Sequence, residues 1–268
     1  MKRFLSFLTA TTLLIACSKN PITGRSQLAI LNEGELQQMA AQEYRTFLSQ
    51  SRVVSANSSR DAEMVRRIGN RLVSAINQYY AQQGLQSELA NYAWEFNLVA
   101  DDQINAWAMP GGKTVVYTGL LPVTQNEAAL AVVMGHEIAH SLAKHGNERM
   151  SQVMVAQGIG AVGGILTSGN QQVSNIFNNV YGPAAQLGVL LPNSRKQELE
   201  ADKYGLIFTA MAGYNPQEAI PLWERMEKAG GGNKPPEFLS THPSEQTRIQ
   251  RLRNFMPEAL KYYKPVRN

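Results

Sequence analysis

Apolar residues recur at helical spacing through Glu35 to Leu48, and again through Asp61 to Tyr80, where Met64, Ile68, Leu72, Ala75 and Ile76 form one stripe. Such a stripe packs against a core. The period then changes to two: Tyr92 to Val99 alternates large apolar with smaller or polar residues, as a half-buried strand does. Asn105 to Met109 and Lys113 to Thr118 read as two further strands joined through Pro110-Gly111-Gly112. Pro110 cannot donate to a ladder, which is most easily tolerated at a sheet edge; the pattern alone leaves an interior position open for Asn105 to Met109. Beyond the strands, Gln125-Asn126-Glu127 offers a cap and an acid at the positive end of a helix dipole, and Ala128 to Met134 is almost unbroken apolar sequence. A helix apolar on most sides is a buried one. The predicted architecture is α+β, mainly helical, with a small sheet followed by helices.

That buried helix runs on into His136-Glu137-Ile138-Ala139-His140. At about 100° per residue the two imidazoles project from one face a turn apart, and Glu137 lies on the flank of that face. Two histidines and a glutamate inside a buried helix leave polar groups unsatisfied unless a metal or other partners receive them. The spacing suits a zinc hydrolase in which both rings bind the metal and the glutamate takes a proton from a water. His145 lies about 900° beyond His136 on a continuous helix, so it is expected to face away from the metal.

Two histidines and a water leave a tetrahedral site one protein ligand short. Ser194 to Leu206 can supply it: Glu198 and Asp202 share a helical face while Glu200 points roughly the other way. Glu198 is the better candidate, although a solvated acidic face would read the same.

Composition adds limits. The 268 residues are 44% hydrophobic and 17% charged, enough to bury one sizeable core. The net charge of +4 includes Lys2 and Arg3, and the absence of a dense basic run argues against nucleic-acid binding. Residues 1–16 read as an export signal: a basic start, then an apolar run too short to span a bilayer. Leu14-Ile15-Ala16-Cys17 resembles a bacterial lipobox, and Cys17 is the only cysteine. Lipidation at Cys17 would explain an odd thiol in an oxidising compartment. The expected layout is a signal peptide over 1–16, a lipidated N-terminus and tether over 17–34, and one catalytic domain over 35–268. The expected place is the periplasmic side of the envelope, anchored by lipid, with Ser18 favouring the outer membrane.

The zinc motif together with Glu198-Leu199-Glu200-Ala201-Asp202 resembles the M48 zinc metallopeptidases. Asn105 to Gly112, Gly119-Leu120-Leu121, Gly213-Tyr214-Asn215-Pro216, Thr241-His242-Pro243-Ser244 and Arg248 are similar to further segments of that family, over roughly Glu35 to Pro257. The resemblance implies a zincin-like fold whose edge strand faces the zinc cleft. It implies one Zn2+ held by His136, His140 and Glu198, with Glu137 as general base. Asp202 would orient a ligand or assist proton transfer, and His242 would stabilise the oxyanion or transiently approach the zinc. Asn105, Ala106, Trp107 and Ala108 would hold an extended substrate by strand addition.

The expected function is therefore a zinc endopeptidase acting on unfolded or misassembled envelope proteins, with outer-membrane assembly machinery as a possible partner. Two other readings stay open: an assembly factor or chaperone with a mainly structural zinc, and a cytosolic hydrolase with an unprocessed N-terminus. Mn, Co or Fe also occupy such donor sets. The glycine- and Asn/Gln-rich stretch between the motifs suggests a lid around Ser168 to Leu190, or an ordinary loop with a helix.

Overall fold

A computed structural model describes residues 17–158, 171–181, 194–229, 237–242 and 247–265. After a short hairpin, β1 (Cys17–Lys19) and β2 (Ser26–Leu28), the chain forms α1 (Glu33–Gln50), β3 (Val53–Val54) and α2 (Arg60–Gln82). Strands β4 (Glu95–Val99), β5 (Ala106–Met109) and β6 (Lys113–Tyr117) follow. The rest is helical: α3 (Leu121–Thr124), α4 (Glu127–Leu142), α5 (His145–Ala156), α6 (Gln171–Tyr181), α7 (Arg195–Met211), α8 (Ala219–Ala229), α9 (Glu237–Thr241) and α10 (Arg248–Leu260).

The helices begin where side chains can receive their free N–H groups. Asn32 accepts from Gly34 and Glu35, Ser59 from Ala62 and Asn126 from Ala129, while Ser194 and Gln197 cap α7 reciprocally. The four main strands run in the order β3-β4-β6-β5, with β4 and β6 parallel and the other pairs antiparallel. All five residues of β6 are buried, as befits an interior strand covered on both faces. Val99, Met109, Val115 and Tyr117 pack towards α1, α5 and α6, and Leu98, Ala106 and Val116 towards the larger core that holds α2, α4 and α7. β5 is an edge strand, and Pro110 follows it in the turn to β6, where Gly111 and Gly112 take positive φ.

α4 is buried along nearly its whole length, as its apolar sequence requires. Its closest partner is α7, and the crossing point is made of glycine. A Cβ on Gly205 would stand 2.8 Å from the backbone N of His136, and one on Gly135 would stand 2.9 Å from the carbonyl O of Gly205. Backbone meets backbone there, so nothing larger than hydrogen fits without moving a helix.

Residues 17–34 are not a free tether. Their polar composition reads as solvated, but the polar groups have distant partners. Asn20 donates to the Ala143 carbonyl at 2.8 Å, Tyr204 donates to the Ile22 carbonyl at 2.6 Å, and Ile30 N–H donates to Ser151 Oγ at 2.9 Å. Arg25 binds Glu148 through both Nη atoms, at 2.6 and 2.7 Å, and Glu200 through Nε at 2.6 Å. The proposed signal segment, 1–16, lies outside the described residues, as does the Cys17 side chain. The suggested lid is described only over 171–181, where Val173, Ile176, Phe177 and Val180 pack helix α6 into the core.

Gly205→Ala is expected to destabilise the protein by about 1–3 kcal/mol through overpacking, lowering the thermal midpoint by several degrees. An unchanged midpoint by circular dichroism would refute the close-crossing argument. The Arg25 cluster makes a second prediction. Burial raises the pKa of Glu148 and of Glu200, but hydrogen bonds and charge from Arg25, Gln197 and His145 outweigh it and leave both below 4.5. The folded state thus holds fewer protons here, so the cluster's contribution is full above pH 4.5 and is lost as pH falls below it. Arg25→Met should cost about 1–2 kcal/mol at pH 7, allowing for solvent screening at Arg25, whose side chain is 23% exposed. Urea unfolding of metal-free protein should show the gap to wild type narrowing in acid; a gap constant with pH would contradict the assignment.

Candidate metal centre

Three segments bring donors to one point. α4 contributes His136 and His140, α7 contributes Glu198 across the glycine crossing, and His242 follows α9. One ligand atom from each of these four buried residues lies within 4.8 Å of all the others. His140 Nε2 is 3.0 Å from His136 Nε2 and 3.2 Å from Glu198 Oε1, and His136 Nε2 is 3.4 Å from Glu198 Oε2. Atoms about 2.0–2.1 Å from a tetrahedral ion sit about 3.3 Å apart, so the spacing suits a cation of zinc size.

The chemistry of the donors agrees. Lone pairs of two neutral imidazoles and a carboxylate repel one another when they converge in a buried place, and a cation removes that conflict. Glu198 Oε2 accepts no hydrogen bond, although Arg248 Nη1 stands 3.0 Å away at ion-pair distance. Burial opposes the charge of Glu198, but His242, Arg248 and His136 outweigh it and hold its pKa well below 4.5. Burial opposes protonation of His136 too, yet Asp202 and Glu198 raise its pKa to about 9 without metal; burial drives that of His140 well below 6.5.

Each ring is fixed from behind. His136 Nδ1 is 3.0 Å from Asp202 Oδ1, and Asp202 is gripped by Arg248 through Nε at 3.0 Å and Nη2 at 2.7 Å. Arg248 in turn lies 3.5 Å over the Trp223 ring. His140 Nδ1 meets His145 Nδ1 at 2.8 Å, and His145 Nε2 meets Glu200 Oε2 at 2.8 Å. If His140 offers a bare Nε2 to the centre, its Nδ1 proton goes to His145, and the one proton of His145 goes to the Glu200 carboxylate. One tautomer pattern satisfies every contact. Arg25, from the N-terminal hairpin, then anchors Glu200.

His145 is outside the convergent group, but the half-turn argument does not describe its position. α4 ends at Leu142 and Lys144 adopts φ 56°, so the chain reverses and α5 starts with His145 facing back towards His140. Glu200 points away from the donors, as helical spacing implies, and meets His145 and Arg25 there. Neither contact is visible from helical spacing, because the break at Lys144 has no strong residue signature. Arg248 stands within the resembling segment, yet its role appears only in three dimensions.

Glu137 lies beside the donors. Its Oε1 is buried without a hydrogen bond, 3.4 Å from His242 Nε2. Burial raises its pKa above 4.5 against the pull of His242 and His136. His242 is held by stacking on Phe238, with centroids 4.6 Å apart, and its Nδ1 is 3.0 Å from Glu198 Oε1; Pro243 and Ser244 lie outside the described residues. Asn105, Ala106, Trp107 and Ala108 line the cleft that Glu137, His140 and His242 also line. The edge strand therefore faces the donor cluster.

Comparison with known proteins agrees with this architecture. Residues 59–256 match the family described as Peptidase family M48. The mitochondrial metalloendopeptidase OMA1 of Schizosaccharomyces pombe is 37% identical over 174 residues, 65% of this chain and 50% of that protein. Its namesake in Saccharomyces cerevisiae is 32% identical over 205 residues, 74% of this chain and 57% of that one. The Beta-barrel assembly-enhancing protease of Escherichia coli strain K12 is 28% identical over 245 residues, 87% of this chain and 46% of that protein. The chain thus spans about half the length of these relatives. Relatives named as mitochondrial overturn the expectation of a lipid-anchored outer-membrane protein; lipobox-like spacing around one cysteine is too short a signal to weigh against them. Among the described residues no helix is long and apolar enough to cross a membrane.

The relay behind His140 predicts a measurable effect on metal affinity. His145→Ala and Glu200→Gln should each weaken zinc binding about 10–100-fold in competition with a chromophoric chelator. Affinities equal to wild type would show that the two residues serve packing alone.

Proposed function

The chain belongs to peptidase family M48, and on that premise we propose that it is a zinc-dependent endopeptidase. The observation that carries the reading is Glu137, a buried carboxylate whose Oε1 accepts no hydrogen bond, beside the convergent donors His136, His140 and Glu198. A bound zinc would supply Lewis acidity towards the scissile carbonyl and the attacking water. Glu137, its pKa raised by burial, takes the proton of that water and hands it to the leaving amine. Asp202 orients His136, and His242 stabilises developing negative charge on the carbonyl oxygen. The substrate lies extended along Asn105 to Ala108, held by main-chain hydrogen bonds at the sheet edge. Such binding selects for unfolded chains, because a folded one has no free strand to add.

The catalytic unit is one domain over residues 35–268, completed by the hairpin of 17–34. Polypeptides are its substrates; the finer reading, that they include unfolded or misassembled envelope proteins handled with an assembly machinery, is supported by the relatives named for β-barrel assembly. One observation favours a second reading. His242 lies within ligand reach, and four protein donors would close the site as structural zinc sites are closed, leaving a client-binding protein.

Casein cleavage and metal content measured on the same samples separate the two. Glu137→Gln should keep zinc and cut nothing, while His136→Ala should lose zinc. His242→Ala should keep zinc with kcat lowered about 10²–10³-fold. Loss of zinc from the His242 variant would point to the closed site, and cleavage by Glu137→Gln would remove the general-base assignment.

A further inference from the structure

Arg149, on α5, lines the same cleft as Glu137, His140, His242 and the edge strand. Other inward-facing arginines have acceptors: Arg25 has Glu148 and Glu200, Arg248 has Asp202 and Glu198, and Arg71 and Arg225 have backbone carbonyls. Arg149 has none. Among the described residues no hydrogen bond or ion pair reaches it, and its Nε is buried without a partner. The neighbouring acid, Glu148, is directed away to Arg25 and Gln197.

A guanidinium stays charged at any pH the protein meets. Leaving its buried Nε N–H without an acceptor costs about 1–3 kcal/mol, so the arrangement makes sense if something entering the cleft completes it. Burial lowers the Arg149 pKa against the pull of Tyr181, Glu198 and Glu137, which accords with the enclosed Nε. The planar fork of donors matches a carboxylate. Trp107 and Ala108 stand on the strand side of the cleft and Tyr181 on the helical side, so a chain laid along β5 passes within this enclosure.

We propose that Arg149 is a specificity residue that binds a carboxylate of the substrate chain close to the scissile bond. The inference rests on the endopeptidase reading for the path of the chain. Two sources carry that group: an Asp or Glu side chain, or the C-terminal carboxylate of a short product-like chain.

Fluorescent peptides bound to zinc-loaded Glu137→Gln protein test this without turnover. One series moves a single Glu, against Gln, through the positions flanking the scissile bond; the other compares free with amidated C-termini at equal distances. One series should show at least about tenfold tighter binding for the carboxylate at one position, and which series responds identifies the source. Arg149→Met in the same background should bring the ratio to about one, and Arg149→Lys should restore part of it, with circular dichroism confirming the fold. Equal affinities in the parent, or a preference surviving Arg149→Met, would overturn the proposal. So would an equal fall in kcat for acidic and neutral peptides when Arg149→Met is made in the active enzyme, which would assign the cation to the reacting carbonyl. If no peptide is ever cut, the endopeptidase reading fails, yet the binding ratio still decides the role of Arg149.

Discussion

The contact between Gly135 and Gly205 sets the distance on which the rest of the site depends. Helices bearing ordinary side chains pack with their axes 8–10 Å apart, and a carboxylate on one then needs a favourable rotamer to reach an imidazole on the other. Here two glycines let backbone meet backbone, with an added Cβ at Gly205 falling 2.8 Å from the amide N of His136. Glu198 and Asp202, about two turns and one turn before Gly205, are thereby brought alongside the two imidazoles. Glu198 meets both inner nitrogens, while Asp202 meets the outer nitrogen of His136. One close crossing therefore fixes both the donor set and one of the groups that orient it.

Charge in the centre is arranged in two chains that run outward. From His136 the path is Asp202 and then Arg248; from His140 it is His145, Glu200 and then Arg25. Each ends in a guanidinium, so every buried carboxylate along it has a cation within reach, which limits the desolvation penalty. Glu137 differs: among the described residues it has no arginine at ion-pair distance, and its Oε1 stays unbonded. In the proposed role of general base, such a carboxylate is useful only if its partners do not hold it in one state.

Much of this was legible in the residues. The period-two segments, the turn at Pro110 to Gly112 and the buried α4 helix follow from side-chain alternation and the lack of polar breaks, and the α+β fold with β5 at an edge is what the structure has. What sequence spacing could not give depends on where the chain reverses or on partners far apart in sequence. His145 turns inward because Lys144 adopts a left-handed conformation, which is unusual for lysine. Arg25 reaches Glu148 and Glu200 across separations of 123 and 175 residues, so a polar, turn-rich segment looks like linker until its partners are seen.

The involvement of the hairpin changes how the folded unit around the donor cluster should be bounded. The family match begins at residue 59, yet Arg25 holds the carboxylate that orients His145, and Tyr204 on α7 is tied to the Ile22 carbonyl. α7 carries Glu198 as well. Movement of the hairpin would therefore act at both the outer support of one imidazole and the helix that delivers the third donor. Two independent attachments to the same site make the segment part of the machinery in mechanical terms, because displacing it disturbs the geometry of groups it never touches. A cleft whose donors rely on so distant a segment tolerates little independent motion between the N-terminal hairpin and the helical core, and that rigidity is what the proposed hydrolysis requires of its site.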